Sequence, residues 1–263
     1  MKEMFFPILV VGMPQSGSTL LYNIILNILK ISDFHQILCR PLATLGGEMM
    51  TCVTLIQGCT SLFKGHHRNL NGEILLQNKD TKVFTTRRDI RDCVASNLRK
   101  RKKQGTYFDA EYGKEMQAWL KEQEKWDYNS FERAWRIHFI KSVTNDNLHA
   151  YQSWEDRTNF EFVYESYKNG HTKNRIAIIL KIAKTLNLEL NKMDAKKILH
   201  FVEEVLAPAS LKAPGTCEET FMGPHIITNN GIIGGYKDTL VSDEIEAIEE
   251  IAGDWLREHG YMK

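Results

Sequence analysis

Gly12-Met13-Pro14-Gln15-Ser16-Gly17-Ser18-Thr19 follows an apolar run, Phe5 to Val11, and leads into Leu20-Leu21-Tyr22-Asn23-Ile24-Ile25-Leu26. The run reads as a strand and the segment from about Ser18 to Ile31 as a helix, with a tight Gly/Ser loop between them. A loop of this kind points several backbone N–H groups at an anion, with the helix dipole behind them. The spacing fits the nucleotide-binding pattern G-x-x-x-x-G-K-[ST], except that Ser18 stands in the lysine's place. That lysine supplies positive charge to a transferred phosphoryl group, so its absence argues against a kinase or NTPase. The loop is expected to bind a phosphate-like group.

Four further segments carry chemistry. Thr81 to Thr86 reads as a short strand rich in β-branched residues, and Arg87-Arg88-Asp89-Ile90-Arg91-Asp92-Cys93-Val94-Ala95-Ser96 follows it at once. An Arg offers a planar fork to phosphate oxygens, and a Ser one or two turns into the next helix adds a hydroxyl. Lys64-Gly65-His66 lies between these two segments. Tyr164-Glu165 closes the strand-like Asn159-Phe160-Glu161-Phe162-Val163, and Gly231-Ile232-Ile233-Gly234-Gly235-Tyr236-Lys237 lies near the C-terminus.

In this order and at this spacing, across about residues 8 to 240, the chain resembles the sulfotransferases that use 3′-phosphoadenosine 5′-phosphosulfate (PAPS) and release PAP. P-x-S-G-[ST]-T and R-D-x-R-D-x-x-x-S carry the resemblance, with Lys64-Gly65-His66 similar to the family's K-T-H, Tyr164-Glu165 to Y-E-D, and the last segment to G-x-x-G-D-W-K. The resemblance implies one α/β domain over residues 1–263, with a mostly parallel sheet flanked by helices and a P-loop-like PAPS site. It implies that Pro14, Gln15, Ser16, Gly17, Ser18 and Thr19 hold the 5′-phosphosulfate, that Arg88 and Ser96 hold the 3′-phosphate, and that Tyr164 lies near the adenosine. Asn230 and Gly231 would belong to the C-terminal cofactor loop. His66 would take the acceptor's proton, and Lys64 would help the leaving phosphate.

Departures from the pattern sharpen the expectation. Gln15 replaces a basic residue; its amide can hydrogen-bond an oxyanion but adds no charge. Leu20 replaces a Trp that often stacks on adenine, and Asn229-Asn230 stand where Arg-Lys is common. Phosphate binding would then lean on Arg88 and Ser96, with Arg87 a further candidate. His67 competes with His66 as the base, but neighbouring side chains of an extended segment point opposite ways, and the register with K-T-H favours His66. Glu48 is the weaker candidate.

Bulk properties exclude several classes. A chain of 263 residues suits one α/β domain, and its 43% apolar and 25% charged content is ordinary for a globular protein. A net charge of +1 argues against a general nucleic-acid binder. Cys39, Cys52, Cys59, Cys93 and Cys217 lack paired spacing, so neither a metal site nor a disulfide framework is indicated. The opening residues read as the first strand rather than a signal peptide, and no apolar stretch reaches a membrane span, so the cytoplasm is the expected location. The Arg99-Lys100-Arg101-Lys102-Lys103 run reads as a solvated helix end opposing the dipole, or else as a positive rim that attracts the nucleotide.

Further helices are expected over Ala110 to about Val143, His171 to Leu186, Asp194 to Leu206, and Ser242 to about Glu258 with Ser242 as N-cap. Met116, Trp119, Leu120, Phe131, Ala134, Trp135, His138 and Phe139 form an apolar stripe on the first of these, where His138 reads as a core or pocket-wall residue. Trp119, Trp126 and Trp135 read as core more than as pocket. The segment from Asp33 to Leu62 shows no clear period and is where an acceptor pocket is expected. Strands alternating with helices imply βαβ units, with ligands at the carboxyl ends of the strands.

The expected reaction moves a sulfuryl group to a hydroxyl or an amine/guanidinium nitrogen of a small-molecule acceptor. The resemblance runs toward bacterial and cyanobacterial enzymes that sulfate natural products, including saxitoxin-type guanidinium alkaloids. Two readings stand beside it: a non-catalytic PAP/PAPS-binding protein with a decayed site, and a P-loop kinase. The residues leave the acceptor and the oligomeric state open.

Overall fold

Pro7–Gly12 forms a strand, β1, whose six residues are all buried. A strand covered on both faces needs a continuous apolar run rather than alternation, which is what Pro7-Ile8-Leu9-Val10-Val11 provides. The computed structural model describes residues 6–32, 37–41, 60–66, 68, 70–104, 128–205 and 231–263. Within them β1 is the central strand of a sheet with β2 (Ile37–Pro41), β3 (Thr60–Lys64), β4 (Lys82–Arg87) and β5 (Phe160–Val163). The order is β2-β3-β1-β4-β5, and each adjacent pair runs parallel. The protein is thus an α/β protein with a parallel sheet.

The chain forms two compact units, Met1–Arg88 with His149–Ile227, and Asp89–Leu148 with Thr228–Lys263. The first contains the sheet. Leu9 and Val11 on β1 pack with Phe63 of β3, Val83 of β4, Leu75 and Trp154 in one apolar cluster. Ile8 and Val10 alternate to the opposite face and are equally buried. Helix α1 (Ser18–Ile31) follows the loop after β1 and packs against α6 (Thr172–Thr185) and α7 (Lys192–His200). The short helices α2 (Leu70–Leu76) and α5 (Tyr164–Lys168) precede β4 and follow β5.

The second unit contains α3 (Ile90–Gln104), most of α4 (Tyr128–Gln152), a 3₁₀ turn at Gly235–Asp238, and α8 (Ser242–Glu258). Buried Arg91 organises it. The guanidinium binds Asp89 through Nε and Nη2 at 3.0 and 2.8 Å, Glu249 at 2.8 Å and the Tyr261 carbonyl at 2.7 Å. It also lies 4.6 Å from the centre of the Tyr236 ring. Asp92, wholly buried, accepts the Gly234 and Tyr236 N–H groups at 2.8 and 3.0 Å. Arg99 donates to the Gly235 carbonyl at 3.2 Å and the Thr239 hydroxyl at 2.5 Å. Helix α4 joins α8 through Arg133–Asp243, Arg136–Glu244 and Lys141–Glu250.

Four expectations change. Ile37–Pro41 is a strand inside the segment that lacked a period, and Thr60–Lys64 is a strand that begins inside it and runs past its end. His138 is exposed, because α4 turns Phe139, Ile140 and Val143 inward instead. Ser242 is the first helical residue and Val241 the cap; the Glu244 carboxylate accepts the Val241 N–H at 3.1 Å. Arg99, at the head of the basic run, holds a backbone turn rather than opposing a dipole. Of the α4 stripe, Trp135 stacks on Phe139 with ring centres 5.4 Å apart. Met116, Trp119, Leu120, Trp126, Glu48 and residues 42–59 lie outside the described residues.

Asp92→Ala leaves two N–H groups of the 234–236 turn without their acceptor. The substitution is expected to cost about 2 kcal/mol or more, and Asp92→Asn, which keeps one carbonyl oxygen, clearly less. Urea unfolding of the two variants checks this; equal stability of Asp92→Ala and the parent would remove Asp92 as the anchor of the turn.

Candidate active site

Parallel pairing in register brings the carboxyl ends of four strands side by side. Val10 is opposite Lys64, Gly12 is opposite Thr86, and Arg87 is opposite Val163. The residues that leave these strands are therefore neighbours in the order His66, the loop after Gly12, Arg88 and Tyr164. The chain moves from one side of β1 to the other between β3 and β4, which places the β1 loop at the switch point where open parallel sheets bind ligands.

The loop takes its shape from two left-handed residues and one buried hydroxyl. Gln15 has φ of 64° and Gly17 has φ of 93°. A Cβ on Gly17 would sit 2.6 Å from the Tyr164 ring, so this position is closed to side chains on both counts. Gln15 is not glycine, and its conformation is strained; its carbonyl accepts Arg88 Nη1–H at 3.3 Å. Ser16 is fully buried, donates to the Met13 carbonyl at 2.5 Å and meets the Thr86 hydroxyl at 2.5 Å. Its hydroxyl braces the loop from below, and its backbone N–H also donates to the Met13 carbonyl at 3.4 Å.

Helix α1 begins without a side-chain cap and without an acid in its first turn. The first amides of a helix have no intrahelical acceptor, so those of Ser18, Thr19 and Leu20 point out along the positive end of the dipole. An anion fits this end, whereas a capped or acidic first turn would oppose one. Ser18 is buried and Thr19 half-buried.

His66 is fixed from two directions. Its Nδ1 lies 3.0 Å from the Gly12 carbonyl, and its own carbonyl accepts the Trp154 indole N–H at 2.7 Å. A carbonyl can only accept, so Nδ1 carries the proton and the neutral ring keeps its lone pair on Nε2. Arg68, two residues on, ties the same stretch down: its backbone N–H donates to the Ser153 hydroxyl at 3.3 Å, and its side chain pairs with Glu73 and Asp156. Lys64, the last residue of β3, is buried, and strand alternation sends it to the face opposite Phe63. His67 lies outside the described residues.

Arg88 is buried, and its guanidinium stacks 4.6 Å from the centre of the Tyr164 ring. That contact locks both residues against the β1 loop through Gln15 and Gly17. Arg87 is used differently. It forms a bidentate pair with Glu161, both bonds 2.8 Å, across the β4–β5 ladder. The Tyr151 hydroxyl donates to the same carboxylate at 2.5 Å, and burial followed by this contact pushes its phenol well above the ordinary range. Arg87 is thereby a strand-pairing residue and not the phosphate ligand it was a candidate for.

In the other unit, Asp92, Ser96 and Arg99 recur at steps of four and three and share one face of α3. Asp92 and Arg99 both hold the 234–239 turn, so half-buried Ser96 stands on the face that carries it. Gly231, with φ of 64°, precedes that turn; Asn230 lies outside the described residues. Asp92, Trp154 and Glu161 were given no role from sequence, and Arg99 only a place in the basic run. The repeated R-D of Arg88-Asp89-Ile90-Arg91-Asp92 was the only hint that one pair is structural. Among the described residues no group of His, Cys, Asp or Glu is placed to hold a metal, and no helix is long and apolar enough to cross a membrane.

No family model matches the sequence, and no curated protein matches it either. Solved structures do. Mouse sulfotransferase SULT7A1 complexed with PAP superposes with a TM-score of 0.60 at 13% identity, over 97% of this chain and 85% of that one. Retinol dehydratase with androsterone and the inactive cofactor PAP gives 0.53 at 12% identity, over 95% and 80% of the two chains. The same enzyme with retinol and PAP gives 0.53 at 12%, over 95% and 81%. At these identities the likeness is one of architecture, and the protein has the sulfotransferase fold.

Proposed function

We propose that the protein is a PAPS-dependent sulfotransferase acting on a small-molecule acceptor. The observation that carries the reading is the fixed imidazole of His66. Its Nδ1–H is held by the carbonyl of Gly12, the residue that opens the loop ahead of the uncapped N-terminus of α1, which makes Nε2 the basic nitrogen. A base and an anion cradle on adjacent strand ends are what sulfuryl transfer requires.

PAPS brings the activated sulfuryl group as the donor substrate. The loop amides from Ser16 to Thr19 and the Lys64 ammonium stabilise the leaving 5′-phosphate, with the Ser18 and Thr19 hydroxyls adding donors. Arg88 takes the 3′-phosphate with Ser96 adding a hydroxyl, Tyr164 borders the adenosine, and Asn230 and Gly231 complete the C-terminal loop. His66 Nε2 removes the acceptor's proton as the new bond to sulfur forms and the sulfur–oxygen bond to PAP breaks. The neighbours crystallised with androsterone and retinol support a small acceptor. A hydroxyl or a neutral nitrogen of a natural product, in the cytoplasm, is the substrate class we assign, with residues 1–263 acting as one catalytic domain.

Calorimetric titration with PAP and with ATP tests the donor class. PAP is expected to bind and ATP to bind far more weakly; absence of PAP binding would overturn the proposal, and PAP binding without turnover of PAPS over an acceptor panel would leave a binding protein with a decayed site. Arg88→Ala is expected to weaken PAP by about 1.5–3 kcal/mol, the range for hydrogen bonds to charged groups.

His66→Ala is expected to lower turnover about a hundredfold or more with PAP affinity nearly intact. Trp154→Phe keeps most of the buried apolar surface and loses one hydrogen bond of about 1 kcal/mol. It should therefore remain folded and lose turnover rather than nucleotide affinity. Single-turnover rates with PAPS separate the two effects, and unchanged rates in His66→Ala would exclude it as the base.

A further inference from the structure

Thr86 ends the buried part of β4 with a hydroxyl where a doubly covered sheet favours a hydrocarbon. β4 is paired on both sides, with β1 and β5, and its inner residues are buried. Strands in this position are ordinarily apolar on both faces, as β1 is. Valine has nearly the shape of threonine, and burying a hydroxyl in its place costs free energy unless the oxygen is hydrogen-bonded. Thr86 is fully buried, so its hydroxyl has to be accounted for by what it touches.

It touches the loop after β1. Gly12 is opposite Thr86 in the ladder, and a Cβ on Gly12 would meet the Thr86 carbonyl oxygen at 2.6 Å and its nitrogen at 2.8 Å. The β4 backbone therefore lies directly against the start of the loop. The Thr86 carbonyl accepts the Met13 N–H at 3.4 Å, and the Thr86 hydroxyl meets the Ser16 hydroxyl at 2.5 Å. Met13 and Ser16 are the two ends of a tight turn, in which the Met13 carbonyl takes both the N–H and the hydroxyl of Ser16, at 3.4 and 2.5 Å. Gln15, the third residue of this turn, follows Pro14 and has the positive φ that a type II turn demands. Thr86 thus holds the loop at its entry and at both ends of its turn.

The hydroxyl protons fix the direction of these bonds. Ser16 and Thr86 carry one each. The Met13 carbonyl can only accept, so its 2.5 Å contact takes the Ser16 proton. The equally short contact between the two hydroxyls then takes the Thr86 proton, ahead of the Val11 carbonyl at 3.2 Å. Any other arrangement leaves two oxygens 2.5 Å apart with no proton between them. Thr86 therefore donates to Ser16 and Ser16 to Met13, each bond strengthening the next. Helix α1 begins at Ser18, two residues on, so this chain sets where the first amides of the helix stand relative to the sheet.

We propose that Thr86 is a positioning residue for the 5′-phosphate of the donor nucleotide. It acts through Ser16, holding the turn that delivers the N-terminus of α1 to the anion. This rests on the donor-nucleotide reading above. Every residue of the chain belongs to the unit that contains the sheet.

Calorimetry with PAP, 5′-AMP, 3′-AMP and adenosine on the parent, Thr86→Val and Thr86→Ser tests this, with a thermal melt of each empty protein. Thr86→Val keeps the shape and loses the donor. It is expected to weaken PAP and 5′-AMP about fivefold or more and to leave 3′-AMP and adenosine unchanged. Thr86→Ser loses a buried methyl and should melt lower, yet bind PAP and 5′-AMP as the parent does; a residue serving stability alone would lose both or neither. Ser16→Ala removes the acceptor of the same bond and is expected to give the same nucleotide pattern, which carries the test if Thr86→Val does not fold. An equal loss for all four ligands, no loss for any, or a serine variant that binds as weakly as the valine one would overturn the assignment. A parent that binds PAP no better than adenosine would instead overturn the donor reading on which the assignment rests.

Discussion

Parallel pairing of β1 with β3 and β4, and of β4 with β5, is the constraint from which the site follows. Once Val10 is opposite Lys64 and Gly12 is opposite Thr86, the residues leaving each strand have little freedom. His66 reaches the Gly12 carbonyl because the chain runs on two residues past Lys64, where β3 ends opposite Val10, with Gly65 N–H donating to the Val10 carbonyl at 3.0 Å. Arg88 and Tyr164 meet because Arg87 and Val163 are paired one residue earlier. A slip of one residue in either ladder would send these side chains to the opposite face of the sheet. The apolar cluster of Leu9, Val11, Phe63, Val83 and Trp154 guards against that slip, since it would break up their mutual packing.

The polar groups divide by what they are spent on. Arg87, Arg91 and Asp92 are consumed by protein partners: Glu161, the Asp89–Glu249–Tyr261 set, and the 234–236 turn. Buried charges of this kind are tolerable because each is paired and hydrogen-bonded. Others gather at the carboxyl ends of the strands: the first amides of α1, the buried Lys64, and Arg88 on the Tyr164 ring with Nη1 on the Gln15 carbonyl.

Helix α1 was legible to the residue, because a Gly/Ser loop and an unbroken apolar run leave the helix few other places to begin. Strands β2 and β3 were not. Paired in parallel between other strands, Thr60-Ser61-Leu62-Phe63-Lys64 has no alternation to read. His138 sits one residue from Phe139, and a spacing of three and four fits either neighbour; which of them turns inward depends on what α4 packs against. The same holds for the two arginines of Arg87-Arg88. They are adjacent in sequence and alike in chemistry, yet Glu161 across the ladder binds the first, and the Tyr164 ring takes the second.

By itself the sequence determined the Gly/Ser loop after β1, the helix behind it, the α/β class and the set of basic and imidazole groups present, because these depend on local residue types and on spacing within one turn or strand. Only the tertiary structure decided which nitrogen of His66 bears the proton, and which of two adjacent arginines pairs with Glu161 and which stacks on Tyr164. Those properties belong to pairs of residues distant in the chain, such as Gly12 with His66, Arg87 with Glu161 and Arg88 with Tyr164, whose proximity is created by strand register and side-chain packing.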